Sequence, residues 1–359
     1  MKKICVFGAG TIGMSLARML YNSGNEVLVW SAKEEDKIAC ETTRRQKNLP
    51  GMIIPDGIHF TLDMEEACRD RDLLVFAIPS VYLRATAAKA KPYVRDGQII
   101  ADLGKGLESG SMKTLSQVLK EELNKDGRHE HVRVVALSGP THAEEIARDM
   151  PSAIVSACED MEAAEYVQDV FMNTCMRVYT NADVIGVELC GALKNVIALA
   201  CGIASGIGCG DNARAALITR GMAEIRRLGL RVGCMEQTFA GLAGIGDLIV
   251  TATSEHSRNN RCGKLIGQGR SVEEAVKEVG QVVEGLNALP AAMEMAAKYE
   301  VEMPITAALN AIVHDNADPV DVVAMLMGRK KKSEIEPDAL NAFFEQKKEE
   351  RIQAARVRK

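Results

Sequence analysis

The chain has 359 residues, 47% apolar and 26% charged, and its 44 Lys and Arg against 49 Asp and Glu give a net charge of −5. That balance suits a packed core of about two domains and excludes a disordered chain. With 4% aromatics and a mildly acidic balance, it lacks the clustered basic charge and stacking platforms of a nucleic-acid binder.

Short apolar runs at 4–8, 26–30, 73–78, 98–103, 132–137 and 153–157 read as strands, with a last one at 176–179. Helical stretches at 11–23, 81–90 and 112–122 lie between them. Strand–helix alternation with nearly continuous apolar strands predicts an α/β, Rossmann-like, doubly wound parallel sheet covered on both faces. Beyond 183 the period becomes helical, with stretches at 187–200, 213–228, 272–279, 288–298, 305–313 and 320–327. The expected organisation is therefore a dinucleotide-binding unit over 1–183, an all-helical unit over 184–328 and a mixed-charge tail over 329–359. The tail holds ten Lys and Arg against six Asp and Glu, and Pro337 opens a candidate last helix; a solvated segment is the expectation, with a subunit or acidic-partner contact as the alternative.

The ten cysteines are scattered through apolar runs such as Lys3-Ile4-Cys5-Val6-Phe7 and form no C-x-x-C pair. Buried, reduced thiols in a cytoplasmic protein fit better than a zinc site or a disulfide framework. The Met-Lys-Lys start lacks a signal-peptide pattern, and the richest apolar run, 184–208, is broken by Glu188 and Lys194, so no membrane span is expected. The six histidines show no ligand spacing, and no metal is expected.

Gly8-Ala9-Gly10-Thr11-Ile12-Gly13 fits G-x-G-x-x-G between an apolar strand and a helix. Gly8 suits the tight turn, Gly10 the approach of a pyrophosphate and Gly13 close helix–strand packing. The acid expected at the end of the second strand is missing: Ser31-Ala32-Lys33 stand there, which tolerates a 2′-phosphate.

Three further stretches place polar residues in glycine-rich or apolar surroundings. Lys105 lies between glycines after a strand; it is either a cleft residue or an ordinary turn lysine. Lys194 lies mid-helix among apolar residues, either buried with a pKa drawn toward neutral or snorkelling to water. Asp247 follows a glycine-dense turn and is a candidate partner for a buried lysine. Arg258 and Asn259 open a helix and suit a phosphate, with a solvated loop arginine as the alternative.

Taken together, the stretches at 8–13, 104–108, 138–145, 193–196, 212–221, 244–251, 257–259 and 280–285 resemble the bacterial-type NAD(P)-dependent glycerol-3-phosphate dehydrogenases, over about residues 4–330. The resemblance implies reversible reduction of dihydroxyacetone phosphate to sn-glycerol 3-phosphate with NADP(H) or NAD(H), supplying glycerophospholipid synthesis. By position it makes Lys194 the proton donor and acceptor, Lys105 the second substrate-contacting lysine and Asp247 their acidic partner. Gly139, Thr141, Ser257, Arg258 and Asn259 match substrate contacts. Gly8, Gly10, Thr11, Ile12, Gly13, Ser31, Lys105, Ala143, Arg258, Val282 and Glu284 fall at the coenzyme. A homodimer is compatible with it. His142 stands where Phe is more usual, and Cys209 and Cys262 replace bulkier residues. The competing readings are another two-domain hydroxyacid-type dehydrogenase and a non-catalytic nicotinamide-binding sensor.

Overall fold

The computed structural model describes residues 1–335, 340–348 and 350. Among the described residues eight strands form one sheet: β1 (Lys3–Phe7), β2 (Glu26–Trp30), β3 (His59–Thr61), β4 (Leu73–Phe76), β5 (Ile99–Asp102), β6 (Arg133–Ser138), β7 (Ser152–Ala157) and β8 (Met176–Asn181). Their spatial order is β3-β2-β1-β4-β5-β6-β7-β8. The connecting helices are α1 (Thr11–Asn22), α2 (Glu34–Thr43), α3 (Met64–Cys68), α4 (Leu83–Ala90), α5 (Leu115–Leu123), α6 (Ala143–Ile146) and α7 (Met161–Met172). Successive strand residues point to opposite faces, and both faces are covered. Ile4, Val6, Val27, Val29 and Val75 pack with α1 residues such as Leu16 and Leu20. Cys5, Phe7, Leu28, Leu74 and Phe76 pack on the other side with Leu83 and Leu119.

The sheet is not parallel throughout. β6 and β7 pair antiparallel, with Leu137 opposite Ser156, and β7 and β8 then run parallel to each other. A parallel pair needs a crossover long enough to traverse a face. Residues 139–151 contain only the single turn α6, so the chain doubles back at the strand end. α5 also starts later than its apolar pattern suggests. Thr114 and Gln117 form a reciprocal capping box, and Met112 takes a positive φ of 57° that no helix continues through.

The helical half comprises α8 (Val184–Gly206), α9 (Asp211–Val232), α10 (Glu236–Phe239), α11 (Asp247–Thr253), α12 (Arg258–Gly267), α13 (Val272–Val279), α14 (Glu284–Lys298), α15 (Pro304–His314) and α16 (Pro319–Met327). α8 is its axis. By length and composition it would cross a membrane, but 89% of its most apolar window is buried within the protein. α12 lies almost backbone to backbone on it. A Cβ built at Gly202 or Gly206 would collide with the Asn260 or Lys264 carbonyl, and one at Gly263 with that of Leu199.

Three buried glutamates fasten elements to one another. Glu188 on α8 accepts from Ser116 N (2.7 Å) and Oγ (2.5 Å) in the first turn of α5. Glu224 on α9 accepts from Ile305 N (2.6 Å) and from Thr306 N and Oγ1 (3.2 and 3.1 Å) at the start of α15. Glu284, opening α14, accepts from Ser80 N (2.9 Å) and Oγ (2.5 Å) in the turn after β4. The ten cysteines are free thiols, most of them buried. Arg329 and Lys332 lie 3.5 and 3.8 Å from Glu302, and the described tail is exposed apart from the half-buried Leu340. The expected helix start at Pro337 lies outside the described residues; 340–348 are helical.

The α8–α12 contact yields a stability test. Gly263→Ala forces a methyl into the Leu199 carbonyl, and overpacking of this kind costs about 1–3 kcal/mol. The expected outcome is a lower denaturant midpoint with an unchanged slope; an unaltered midpoint would mean that the two helices part freely.

Candidate active site

The C-terminal ends of β4, β5 and β6 meet the helical half: Ser80 bonds Glu284 at the start of α14, Lys105 bonds Asp247 at the start of α11, and Gly191 of α8 lies against Ser138. At β1 the chain turns on Gly8, whose φ of +117° is a conformation side chains rarely adopt and whose N–H donates to the Trp30 carbonyl at 2.8 Å. A Cβ at Gly13 would run into the Gly8 carbonyl, whereas one at Gly10 would meet nothing within 4 Å. Gly10 is the N-cap of α1 and offers no capping side chain, so the first N–H groups beside Thr11 and Ile12 are left to an anion. This loop fits a pyrophosphate. The Ala143 carbonyl accepts from Ser15 Oγ at 2.9 Å and so ties α6 to α1.

Ser31 is less open than its position suggests. It is buried, and its hydroxyl donates to the Lys33 carbonyl (2.8 Å) and accepts from Lys33 N (3.2 Å). Lys33 is exposed at the N-cap of α2, and Glu34, Glu35 and Asp36 fill that helix's first turn. No carboxylate stands at the end of β2 itself.

The centre of the cleft is one carboxylate between two lysines. Lys105 Nζ donates to Asp247 Oδ2 at 2.8 Å, and Lys194 Nζ donates to Asp247 Oδ1. Lys194 also donates to Thr251 Oγ1 (2.6 Å), and Lys105 to the Gly139 carbonyl (2.8 Å) and Thr141 Oγ1 (3.1 Å). Lys194 and Asp247 are 4% and 1% exposed, which settles the question of snorkelling: Lys194 is buried. Burial pushes the Lys194 ammonium down to about 7; Asp247 opposes this, and the positive charge of Lys105 adds to it. Burial alone would raise the Asp247 carboxyl, but the two ammonium groups outweigh it and hold it below its usual range. Asp102, at the end of β5, is pushed up to about 8 by burial and then by nearby Glu188, so it is mostly uncharged at neutral pH. Asp247 is thus the anion that the lysines share.

Asp247 is placed by a tight piece of backbone. A π-helical turn over Leu242–Gly246 runs into α11, whose first residue is Asp247, a favourable end of the helix for a carboxylate. Gly244 lies against the Phe239 carbonyl and leaves no room for a side chain.

The remaining residues divide. Ser257 caps α12 by accepting from Asn260 N at 3.2 Å. Asn259 is turned inward: its Nδ2 donates to Asn195 Oδ1 (2.9 Å) and its Oδ1 accepts from Gly285 N (2.8 Å). Arg258 is half-buried, and among the described residues it makes no ion pair or side-chain hydrogen bond. Burial lowers its pKa, partly offset by Glu284 and Glu144. Of these three, Arg258 is the group left free for an anion. Val282 is partly exposed beside the N-terminus of α14, and both Glu284 oxygens are engaged by Ser80, so that side chain joins the two halves.

Several contributors carry no local sequence signal. Thr251 pairs with Lys194, and Asn195 Nδ2 holds the Lys105 carbonyl at 3.0 Å. His142 lies with Nε2 3.5 Å from the Val250 carbonyl and its ring 6.1 Å from that of His256. Burial, followed by the Lys194 charge, lowers its pKa and keeps it a neutral lining group.

Residues 3–164 match the family model for the NAD-dependent glycerol-3-phosphate dehydrogenase N-terminus, and residues 183–324 match the model for its C-terminus. The chain is 63% identical over 335 residues to glycerol-3-phosphate dehydrogenase [NAD(P)+] 2 of Lactobacillus delbrueckii subsp. bulgaricus, covering 93% of this chain and 99% of that one. It is 47% identical to the glycerol-3-phosphate dehydrogenase [NAD(P)+] of Pelotomaculum thermopropionicum, covering 95% and 97% of the two chains. The crystal structure of glycerol-3-phosphate dehydrogenase from Coxiella burnetii superposes with a TM-score of 0.85 at 34% identity, over 91% of this chain and 99% of that one. With both halves matched and a relative this similar along nearly its whole length, the chain belongs to the NAD-dependent glycerol-3-phosphate dehydrogenase family.

Proposed function

We propose that this chain reversibly reduces dihydroxyacetone phosphate to sn-glycerol 3-phosphate with NADPH or NADH, a reaction that feeds glycerophospholipid synthesis. The observation that carries the reading is the Lys105–Asp247–Lys194 cluster, two ammonium groups on one buried carboxylate. In this reading residues 1–183 hold the coenzyme, through the Gly8–Gly13 loop, Ser31 and Ala143, with Arg258 and Val282 closing in from the helical side and Glu284 fastening that side to Ser80. Residues 184–328 supply the proton and the phosphate contacts, and Lys105, Gly139 and Thr141 complete the substrate site from the first unit. The substrate is a small phosphorylated molecule, and the free thiols support a cytoplasmic location.

The Gly8–Gly13 loop would hold the reduced coenzyme, which would supply hydride for C2 of the ketone. Lys194 gives its proton to the carbonyl oxygen as negative charge develops there, and a pKa near 7 suits a group that must both release and recover a proton. Lys105 stabilises the same oxygen electrostatically, with Gly139 and Thr141 holding its Nζ in place. Asp247 orients both lysines. Arg258 holds the phosphate beside Ser257 and Asn259, so binding energy far from the reacting carbon aligns it.

Lys194→Met is expected to lower kcat by about 10²–10⁴-fold while NADPH binding and the melting temperature hold; retention of more than a tenth of activity would remove the proton-transfer role. The pH profile has a definite sign. Ketone reduction needs the Lys194 ammonium, so kcat/KM should fall as pH rises through about 7, and alcohol oxidation, which needs the free amine, should rise through the same value. Lys105→Met removes a like charge and so should move that limb to higher pH. A limb that stays in place would mean the lysines are not coupled.

Arg258→Ala should raise KM for dihydroxyacetone phosphate by about 10- to 100-fold, the loss of a charge-assisted phosphate contact of about 1.5–3 kcal/mol. Unphosphorylated dihydroxyacetone is the control. Equal damage to both substrates would show that Arg258 does not read the phosphate.

Coenzyme choice follows from the missing acid at the end of β2. NADPH should serve at least as well as NADH by kcat/KM, and Ser31→Asp should shift the preference toward NADH. A tenfold wild-type preference for NADH would point instead to the α2 carboxylates Glu34 and Glu35. Coenzyme oxidation without turnover of dihydroxyacetone phosphate would favour the other dehydrogenase readings, and no oxidation with any ketone would favour the sensor.

A further inference from the structure

The segment that carries Lys105 is a loop pinned from two sides. On the helical side, Asn195 Nδ2 donates to the Lys105 carbonyl at 3.0 Å. On the sheet side, Glu108, three residues along the same loop, is gripped at two points by Arg84 on α4. Arg84 Nε donates to Oε1 at 2.6 Å and Nη2 to Oε2 at 2.8 Å. From Leu107 to Thr114 the loop is closed on itself. Glu108 N donates to the Lys113 carbonyl (3.0 Å), Ser111 Oγ donates to Glu108 Oε2 (2.6 Å), and Leu107 bridges to Thr114. Gly106 lies directly against Ser80, in the turn that leads into α4, where a Cβ would stand 2.6 Å from the Ser80 side chain.

Arg84 is itself fixed. Its guanidinium also donates to Glu121 (2.7 Å) and Glu122 (3.1 Å) of α5, and Lys113 pairs with Glu121 at 2.8 Å. The hydrogen bonds from Arg84 hold the Glu108 carboxyl below its usual range. Arg84 and Glu108 side chains are 34% and 25% exposed, and ion pairs so exposed add little to global stability. What this pair does fix is geometry: the two-point grip sets both the distance and the rotation of the loop relative to α4.

We propose that Arg84 is a positioning residue for the reaction: through Glu108 it sets the 103–114 loop so that Lys105 Nζ reaches Asp247 and the substrate oxygen. The proposal rests on Lys105 acting in turnover. Arg84 touches none of the reacting groups, and displacement of a catalytic group by about 1 Å is enough to cost up to 10²-fold.

The test is a double-mutant cycle with dihydroxyacetone phosphate and NADPH. Arg84→Met and the isosteric Glu108→Gln should each lower kcat/KM for the ketone about 10- to 100-fold. The NADPH dissociation constant and the melting temperature should hold, and Arg84→Lys, which restores charge without the fork, should recover only part of the loss. In a Lys105→Met background, Arg84→Met should cost nothing more. Full activity of Arg84→Met and Glu108→Gln would overturn the proposal, as would an Arg84→Met loss of the same size with and without Lys105. Full activity of Lys105→Met would overturn the role of Lys105 and this proposal with it. A costly Lys105→Met alongside a silent Arg84→Met would remove the proposal alone.

Discussion

Asp247 is buried with an ammonium group on each oxygen. A buried charge requires a partner, and two cations against one anion leave a net positive charge in a nearly dry site. Burial depresses Lys194 and the Lys105 charge adds to it, while the surplus prepares the cleft for a carbonyl oxygen gaining negative charge. The three groups come from three places: the loop after β5, the middle of α8 and the first residue of α11. Moving any one of them would leave a buried ion unpaired, so the electrostatics restrict how those segments can sit.

The glutamate fasteners repeat a single chemical device. Glu188, Glu224 and Glu284 each spread a carboxylate over a backbone N–H and the hydroxyl of a Ser or Thr. Two of the three act at a helix start, where unpaired N–H groups and the helix dipole both favour a negative charge. The acceptors are borrowed from distant helices, at α5 in addition to its own Thr114–Gln117 capping box. Glu188 is fully buried, and burial raises its pKa despite the donors from Ser116. Such groups are tolerated because every strong acceptor is used, and they specify which helix docks where more than they add net stability.

Much of this was legible in the sequence because it is local. The glycine loop needs only its own strand and helix, and the apolar strand runs mark β1, β2, β4, β5 and β6 to within a few residues. β3 escaped because His59–Thr61 is a three-residue edge strand with no pattern long enough to read. The reversal at β7 escaped because its cause is the short return over 139–151, and run composition does not report direction. In the site, residue types and motif order pointed to Lys105, Lys194 and Asp247, but whether Lys194 was buried or snorkelling turned on how α11 and α12 pack against α8. Asn195, Thr251 and Ser80 act through hydrogen bonds to distant segments, and no spacing rule reaches that far. Glu284 shows the opposite case: a coenzyme contact by resemblance, its carboxylate is taken up by Ser80.

The Glu284 fastener has a consequence in time. Ser80 and Glu284 are 204 positions apart, and Lys105 and Asp247 are 142 apart. As a nascent chain lengthens, the first strands and α1 can pair among themselves, because their contacts are short in sequence. Ser80 and Lys105 then wait, solvated, until α11 and α14 have been synthesised and docked. Contacts of such long range close late, since the loop entropy is lost before they form. The coenzyme loop therefore takes shape early, the catalytic charges meet only near the end, and an unfinished chain has a nucleotide cradle with no means of moving a proton.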